Sequence, residues 1–242
     1  MNLIVDIGNT RVKYAVFDKQ RLLVDQSSEA GLYLSKIKEL FEVFPKIEQA
    51  IISSVTGLEQ KEFEILSLFC PVHVLSVKSL VPFKNNYATP DTLGMDRKAL
   101  ATAAFYQYPK RNVLVIDMGT CITYDIITAE GSYLGGAIAP GLNMRYKAMH
   151  EQTKKLPLLE PEYPREFIGD TTASSMHSGV IQGICHELDG TIDQYKNRFQ
   201  LLTVILTGGD SHFFAKRLKN SIFANSKFLL EGLNCLLEYN KQ

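Results

Sequence analysis

Residues 2–17 read NLIVDIGNTRVKYAVF, and the fold turns on how this stretch is understood. Leu3, Ile4 and Val5 form an apolar run suited to a buried strand, and Val12, Tyr14 and Val16 alternate as a second strand would. Between them lies Asp6-Ile7-Gly8-Asn9-Thr10, a turn with a carboxylate, an amide and a hydroxyl. Gly8 and Asn9 suit a turn on backbone grounds alone, because both tolerate positive φ. Asp6 has no such reason to end a buried strand, where an unpaired carboxylate is costly. Either it meets a local partner such as a turn amide, or it faces a ligand. One copy of the pattern does not choose.

A second copy follows. Residues 113–127 read VLVIDMGTCITYDII, and Leu3–Gly8 aligns without gaps on Leu114–Gly119. A strand, an Asp-x-Gly turn and a return strand at the start of each half indicate an internal duplication. The junction falls near Pro109 and Lys110, giving expected domains 1–110 and 111–242. Helical spacing predicts helices near 30–44, 59–69, 94–106, 172–198, 211–219 and 230–239, and one from about 142 to 155. Strands are expected at 49–55, 72–75, 113–117, 121–128, 132–138 and 203–206. Strand hairpins alternating with helices point to an α/β fold with a mixed central sheet in each half.

Composition narrows the function classes. The 242 residues are 45% hydrophobic, enough for two cores, and 26 Lys plus Arg balance 26 Asp plus Glu. No charge excess argues for nucleic acid, and no apolar run reaches the ~18–20 residues of a membrane span. No signal peptide is visible, and Cys70, Cys121, Cys185 and Cys235 lack metal spacing, so a cytoplasmic protein with reduced thiols is expected.

Three glycine turns follow apolar strands: Asp6–Thr10, Asp117–Thr120 and Thr207–Asp210. Each alone reads as a plain hairpin. Together they offer close backbone approach, amides and hydroxyls for phosphate oxygens, and carboxylates for a cation, as a nucleotide cleft requires. Lys13 could reach a phosphate or lie solvated on its strand. In NNYATPDTLGMDRKALATAAF, residues 85–105, Asp96 and Arg97 open a helix after Gly94. Asp96 could be a helix-dipole partner or a proton acceptor, and Arg97 a clamp for a substrate carboxylate. His73, His150, His177, His186 and His212 show no metal pattern. Met176, Val180 and Ile184 read as core or a subunit contact.

These motifs together resemble the type III pantothenate kinases, members of the acetate and sugar kinase/Hsp70/actin superfamily. DIGNT at 6–10 is similar to the first phosphate motif, and Tyr87 with GMDR at 94–97 to the pantothenate segment. IDMGT at 116–120 resembles the second phosphate motif. GGAIAPGL at 135–142, TASSMHSG at 172–179 and LTGGD at 206–210 follow in order. The resemblance implies duplicated actin-like (ribonuclease H-like) domains with ATP in the cleft between them, and γ-phosphoryl transfer to the 4′-hydroxyl of pantothenate. It implies Asp96 as general base and Arg97 on the pantothenate carboxylate, with Tyr87, Gly94 and Met95 lining that pocket. Asp6, Ile7, Gly8, Asn9, Thr10, Arg11, Val12, Lys13 and Thr120 match the ATP site, with Mg²⁺ carried alongside. Asp117 matches the ligand of a monovalent cation, K⁺ or NH₄⁺. Thr172 matches a threonine that reaches substrate from the neighbouring subunit of a homodimer. Departures are Ala15, where glycine is frequent, Cys121, where alanine is common, and Asp170-Thr171 in place of Lys-Asn, which bears on Thr172 against Thr171.

Two other readings stand beside this one. The same fold could phosphorylate a sugar or short-chain acid, which the Gly94–Arg97 element argues against. It could also be a non-catalytic ATP-binding regulator, which would bind ATP without acceptor-dependent turnover.

Overall fold

The computed structural model describes residues 1–8, 11–54 and 60–241. In chain order the elements are β1 (Asn2–Ile7), β2 (Val12–Asp18), β3 (Arg21–Ser28), α1 (Tyr33–Val43), β4 (Gln49–Ser54), α2 (Gln60–Ser67), β5 (Val72–Val74), β6 (Lys84–Asn85) and α3 (Met95–Gln107). Then come β7 (Val113–Met118), β8 (Cys121–Ile127), β9 (Ser132–Pro140), α4 (Leu142–Glu151), α5 (Thr172–His177), α6 (Gly183–Arg198), β10 (Thr203–Thr207), α7 (Ser211–Phe214), β11 (Phe223–Ala224) and α8 (Phe228–Tyr239). A five-residue π-helical segment, Ser178–Gln182, joins α5 to α6.

The first compact unit takes Met1–Pro109, Gly131–Tyr133 and Lys227–Gln242. Its sheet runs β3-β2-β1-β4-β5, antiparallel from β1 to β3 and parallel from β1 through β4 to β5. Alternation along each strand gives the sheet two apolar faces. Leu3, Val5, Tyr14, Val16, Ala50 and Ile52 meet Tyr33, Ile37 and Leu40 of α1 and Leu66 of α2. Ile4, Ala15, Phe17 and Ile51 meet Ala99 of α3 and Leu230, Leu233, Leu236 and Leu237 of α8. The helix α3 packs through alanines, so α8 comes very close: a Cβ on Gly232 would lie 2.0 Å from the Ala99 carbonyl oxygen. Asn2 Nδ2 donates to Asn234 Oδ1 at 2.7 Å and Glu238 Oε1 at 2.6 Å, fastening α8 to the start of β1.

The second unit takes Lys110–Glu130 and Leu134–Ser226. Its strands run β11-β10-β7-β8-β9, with β7–β8 antiparallel and β10 parallel to β7. Leu114, Ile116, Met118, Ile122, Tyr124 and Ile126 pack with Leu142 and Tyr146 of α4, and with Ile184, Leu188 and Ile192 of α6.

The hairpin–helix pattern expected from sequence is therefore present twice. β3 escaped that reading because it is an edge strand with polar, half-exposed positions, where apolar alternation is weak. The helix expected over 211–219 stops at Phe214. Past it, the buried Asp189 carboxylate accepts from the amides of Lys219 and Asn220 and holds the chain in a turn.

Candidate active site

Period-two alternation puts Asp6 on the same face of the first sheet as Ile4, the face covered by α3 and α8. In register with Asp6 stand Lys13 on β2 and Ser53 on β4. Asp6 is 6% exposed. Burial pushes its carboxyl above the usual range, the Lys13 ammonium lowers it, the Asp96 charge raises it, and the Ser53 hydroxyl lowers it. Strand β1 and helix α3 thus bring two carboxylates, 90 positions apart in sequence, into one electrostatic neighbourhood.

Asp96 sits in the first turn of α3, and its Oδ1 accepts from the Arg97 amide at 2.8 Å. That carboxylate folds back over Gly94, where an added Cβ would lie 2.4 Å from Asp96 Oδ1. Glycine at 94 is a matter of space for the carboxylate, since its φ of −55° suits any residue. Arg97 is buried, with its guanidinium carbon 5.4 Å from the centroid of the Tyr87 ring. Tyr87 is set by its own amide, which donates to Asn85 Oδ1 at 3.1 Å, and its ring lies 6.1 Å from that of Tyr133. Met95 packs against the α3–α8 core. Lys98, the next residue after Arg97, is buried and donates to the carbonyls of Ser76 and Val77, and burial lowers its pKa.

The other residues of the first turn divide. Val12 is buried in the opposite core with Ile7 packed against it, so their side chains face away from Asp6. Arg11 is held on β3 by Ser27, through Nε to Oγ at 3.1 Å and through a terminal nitrogen to the carbonyl at 3.2 Å. The Gly8 amide donates to the Arg11 carbonyl, and the Gly119 amide to that of Cys121. Both glycine amides are therefore engaged in closing their hairpins and are not the free phosphate donors the motif suggests. Asn9 and Thr10 lie outside the described residues.

In the second unit Asp117 ends β7, with Thr123 of β8 and Thr207 of β10 in register on either side. Two glycines outside the expected site set hold this turn. A Cβ on Gly141 would meet the Thr120 and Gly119 carbonyls at 2.3 and 2.5 Å, and the Gly141 amide donates to Thr120 O at 3.1 Å. Gly208 has φ of +91°, and a Cβ there would sit 2.4 Å from Asp117 Oδ1. The third turn is thus pressed onto the second, with Asp210 N donating to Met118 O at 3.0 Å. Burial raises the pKa of the Asp210 carboxyl.

Thr171 and Thr172 differ in employment. Thr171 is the N-cap of α5, its Oγ1 accepting from Ser174 N at 3.1 Å within a capping box. Thr172 is exposed and lines a cavity of about 520 Å³ together with Met149, Leu156, Ser175 and Met176. Of the two hydroxyls, that of Thr172 is the one left available.

A sequence profile of type III pantothenate kinase matches residues 2–194. A type III pantothenate kinase of Christiangramia forsetii is 51% identical over 241 residues, covering 100% of this chain and 99% of that protein. Among solved structures, a Campylobacter jejuni protein described as a conserved Baf family transcriptional activator superposes with a TM-score of 0.65 at 22% identity, over 98% of each chain. An inorganic polyphosphate/ATP-glucomannokinase from Arthrobacter sp. strain KM does so at 0.50 and 17% identity, over 98% of each. These likenesses give the fold as the duplicated actin-like one. Matched by the family profile over most of its length and by that relative from end to end, the chain belongs to the type III pantothenate kinase family.

Proposed function

We propose that this protein transfers the γ-phosphoryl group of ATP to the 4′-hydroxyl of pantothenate, the first step of coenzyme A biosynthesis. The observation that supports it best is the first turn of α3, where the Asp96 carboxylate folds over Gly94 and the buried Arg97 guanidinium lies 5.4 Å from the Tyr87 ring centroid, with Asp6 within electrostatic reach. A phosphate-side carboxylate and a candidate base share one end of the first sheet.

In this reading the buried guanidinium of Arg97, over the Tyr87 ring, receives the pantothenate carboxylate. Asp96 takes the proton of the hydroxyl as it attacks. A loose transition state leaves that proton transfer late, so the base is needed chiefly in position at the hydroxyl. Asp6 and Lys13 face the phosphates, and Thr120 contacts the nucleotide from the second turn. The main chain at Ile7, Arg11 and Val12 adds the remaining nucleotide contacts of the first turn. Among the described residues no three His, Cys, Asp or Glu side chains converge. Asp6, the buried carboxylate at the end of β1, is the residue that would hold a Mg²⁺ arriving on the nucleotide, directly or through water. When bound, Mg²⁺ neutralises phosphate charge. Asp117 holds a monovalent cation, K⁺ or NH₄⁺.

The working form is a cytoplasmic homodimer in which Thr172 reaches the neighbouring subunit's substrate. The duplicated halves are 1–110 and 111–242, with the last helix returning to pack on α3. The test is ADP release with Mg-ATP, with and without pantothenate, for the wild type and Asp96→Asn. Pantothenate-dependent ADP that Asp96→Asn loses, with pantothenate binding kept, supports the assignment. ATP binding without acceptor-dependent turnover in the wild type overturns it.

A further inference from the structure

The two halves can be compared position by position, because their first hairpins pair in equivalent registers. In the first half Asp6 stands opposite Lys13, and Ile4 opposite Ala15. In the second, Asp117 stands opposite Thr123, and Val115 opposite Asp125. Residues directly opposite on antiparallel strands point to the same face, with Cβ atoms about 4.5–5.5 Å apart. The first hairpin face therefore presents Asp6, Lys13 and Ala15, a carboxylate answered by an ammonium. The second presents Asp117, Thr123 and Asp125, two carboxylates and a hydroxyl.

Thr123 is 7% exposed, and its Oγ1 has no hydrogen-bond partner. A buried hydroxyl without a partner is destabilising, so an orphan beside a carboxylate points to a ligand. Asp125, one step further on the same face, is completely buried and brings two more carboxyl oxygens to it. Gly208 lets the third turn approach Asp117 without filling the space with a side chain. Oxygen donors of this kind suit a hard cation.

We propose that the Thr123 hydroxyl is a ligand of the monovalent cation at Asp117, and that this cation occupies the place Lys13 takes in the first half. The proposal rests on Asp117 being the cation ligand. One half carries its positive charge covalently, and the other takes it from solution. Where Lys13 answers Asp6 from the facing strand, a small residue at 123 leaves room for an ion.

The experiment titrates KCl against choline chloride at constant ionic strength, following both Tm and pantothenate-dependent ADP release. In the wild type a saturable rise in both is expected. Thr123→Val, which keeps the shape and removes the hydroxyl, is expected to raise the half-saturating K⁺ about tenfold in both readouts, the size of one lost contact to a charged group. Thr123→Lys is expected to give a Tm and a turnover that no longer respond to K⁺. An unchanged half-saturation in Thr123→Val overturns the ligand assignment while leaving Asp117 as cation ligand intact. A folded Thr123→Lys that still needs K⁺ overturns the equivalence with Lys13. If Thr123→Lys does not fold, Thr123→Val decides. A wild type indifferent to K⁺ in both readouts removes the reading of Asp117, and this proposal with it.

Discussion

Replacing Gly94 with alanine separates catalytic geometry from stability more cleanly than removing a charged group would. The new Cβ would sit 2.4 Å from Asp96 Oδ1, 3.6 Å from its Cγ and 3.7 Å from Arg97 Cγ. Ordinary contact begins near 3.4 Å, so the carboxylate oxygen must retreat by about 1 Å. What yields is the end of a side chain, and the backbone at 94 already has φ −55° and ψ 142°, open to alanine. Removing a glycine also restricts the unfolded chain, which stabilises by about 0.4–1 kcal/mol where the conformation fits. The expected Tm is therefore equal to or slightly above wild type. A 1 Å misplacement of a reacting group costs on the order of 10²-fold in rate. That is about 2.7 kcal/mol in the activation barrier. The assay is a coupled ADP-release measurement of kcat and of the KM for pantothenate, beside a thermal melt. A kcat within threefold of wild type would contradict this geometry. So would a Tm lowered by several degrees, because the backbone rather than the carboxylate would then have given way.

Other consequences follow from the same packing. Burial, only partly offset by Lys13 and Ser53, raises the folded pKa of Asp6 above its unfolded value. The folded state then holds the proton longer, and stability from this group falls as pH rises through that window. Asp6→Asn should accordingly raise Tm at neutral pH while losing turnover, and a lower Tm would contradict it; each kcal/mol is worth about 2–4 °C in a chain this size. Thr171→Ala, which deletes the α5 cap, is expected to cost ~1 kcal/mol of stability with the KM for pantothenate nearly unchanged. Thr172→Ala is expected to do the reverse, and melts beside Michaelis curves distinguish the two. Gly232→Ala pushes a methyl against the Ala99 carbonyl and should destabilise by ~1–3 kcal/mol. An unchanged melting curve would show that α3 and α8 can separate without cost.

Much of the candidate site could be proposed from sequence because its residues fall in short, contiguous turns. Asp6, Asp117, Asp96 and Arg97 each stand at a strand end or in the first turn of a helix, positions marked by a change of hydrophobic period and a nearby glycine. What escaped was set by neighbours remote in sequence. Gly208 was legible as part of a glycine turn and Gly141 as part of a motif, but the pressing of the one against Asp117 and of the other against Thr120 was not. Ser53 and Thr123 read as plain strand residues, since a hydroxyl gives no sign of whether it is buried, or beside what. The glycine amides of the two phosphate-type turns looked free and are engaged across their own hairpins.

By itself the sequence determined the duplication, the alternation of strands and helices, and the identity of the charged groups at each turn. These follow from local rules: side-chain period, turn chemistry and the cost of a buried charge. Only the tertiary structure decided which of those groups face one another. Strand register put Lys13 and Ser53 beside Asp6, and Thr123 beside Asp117. The packing of α3 through its alanines brought Asp96 within electrostatic reach of the first of these groups. Register and close packing arise from contacts between distant segments, and a linear pattern does not state which residues those contacts will join.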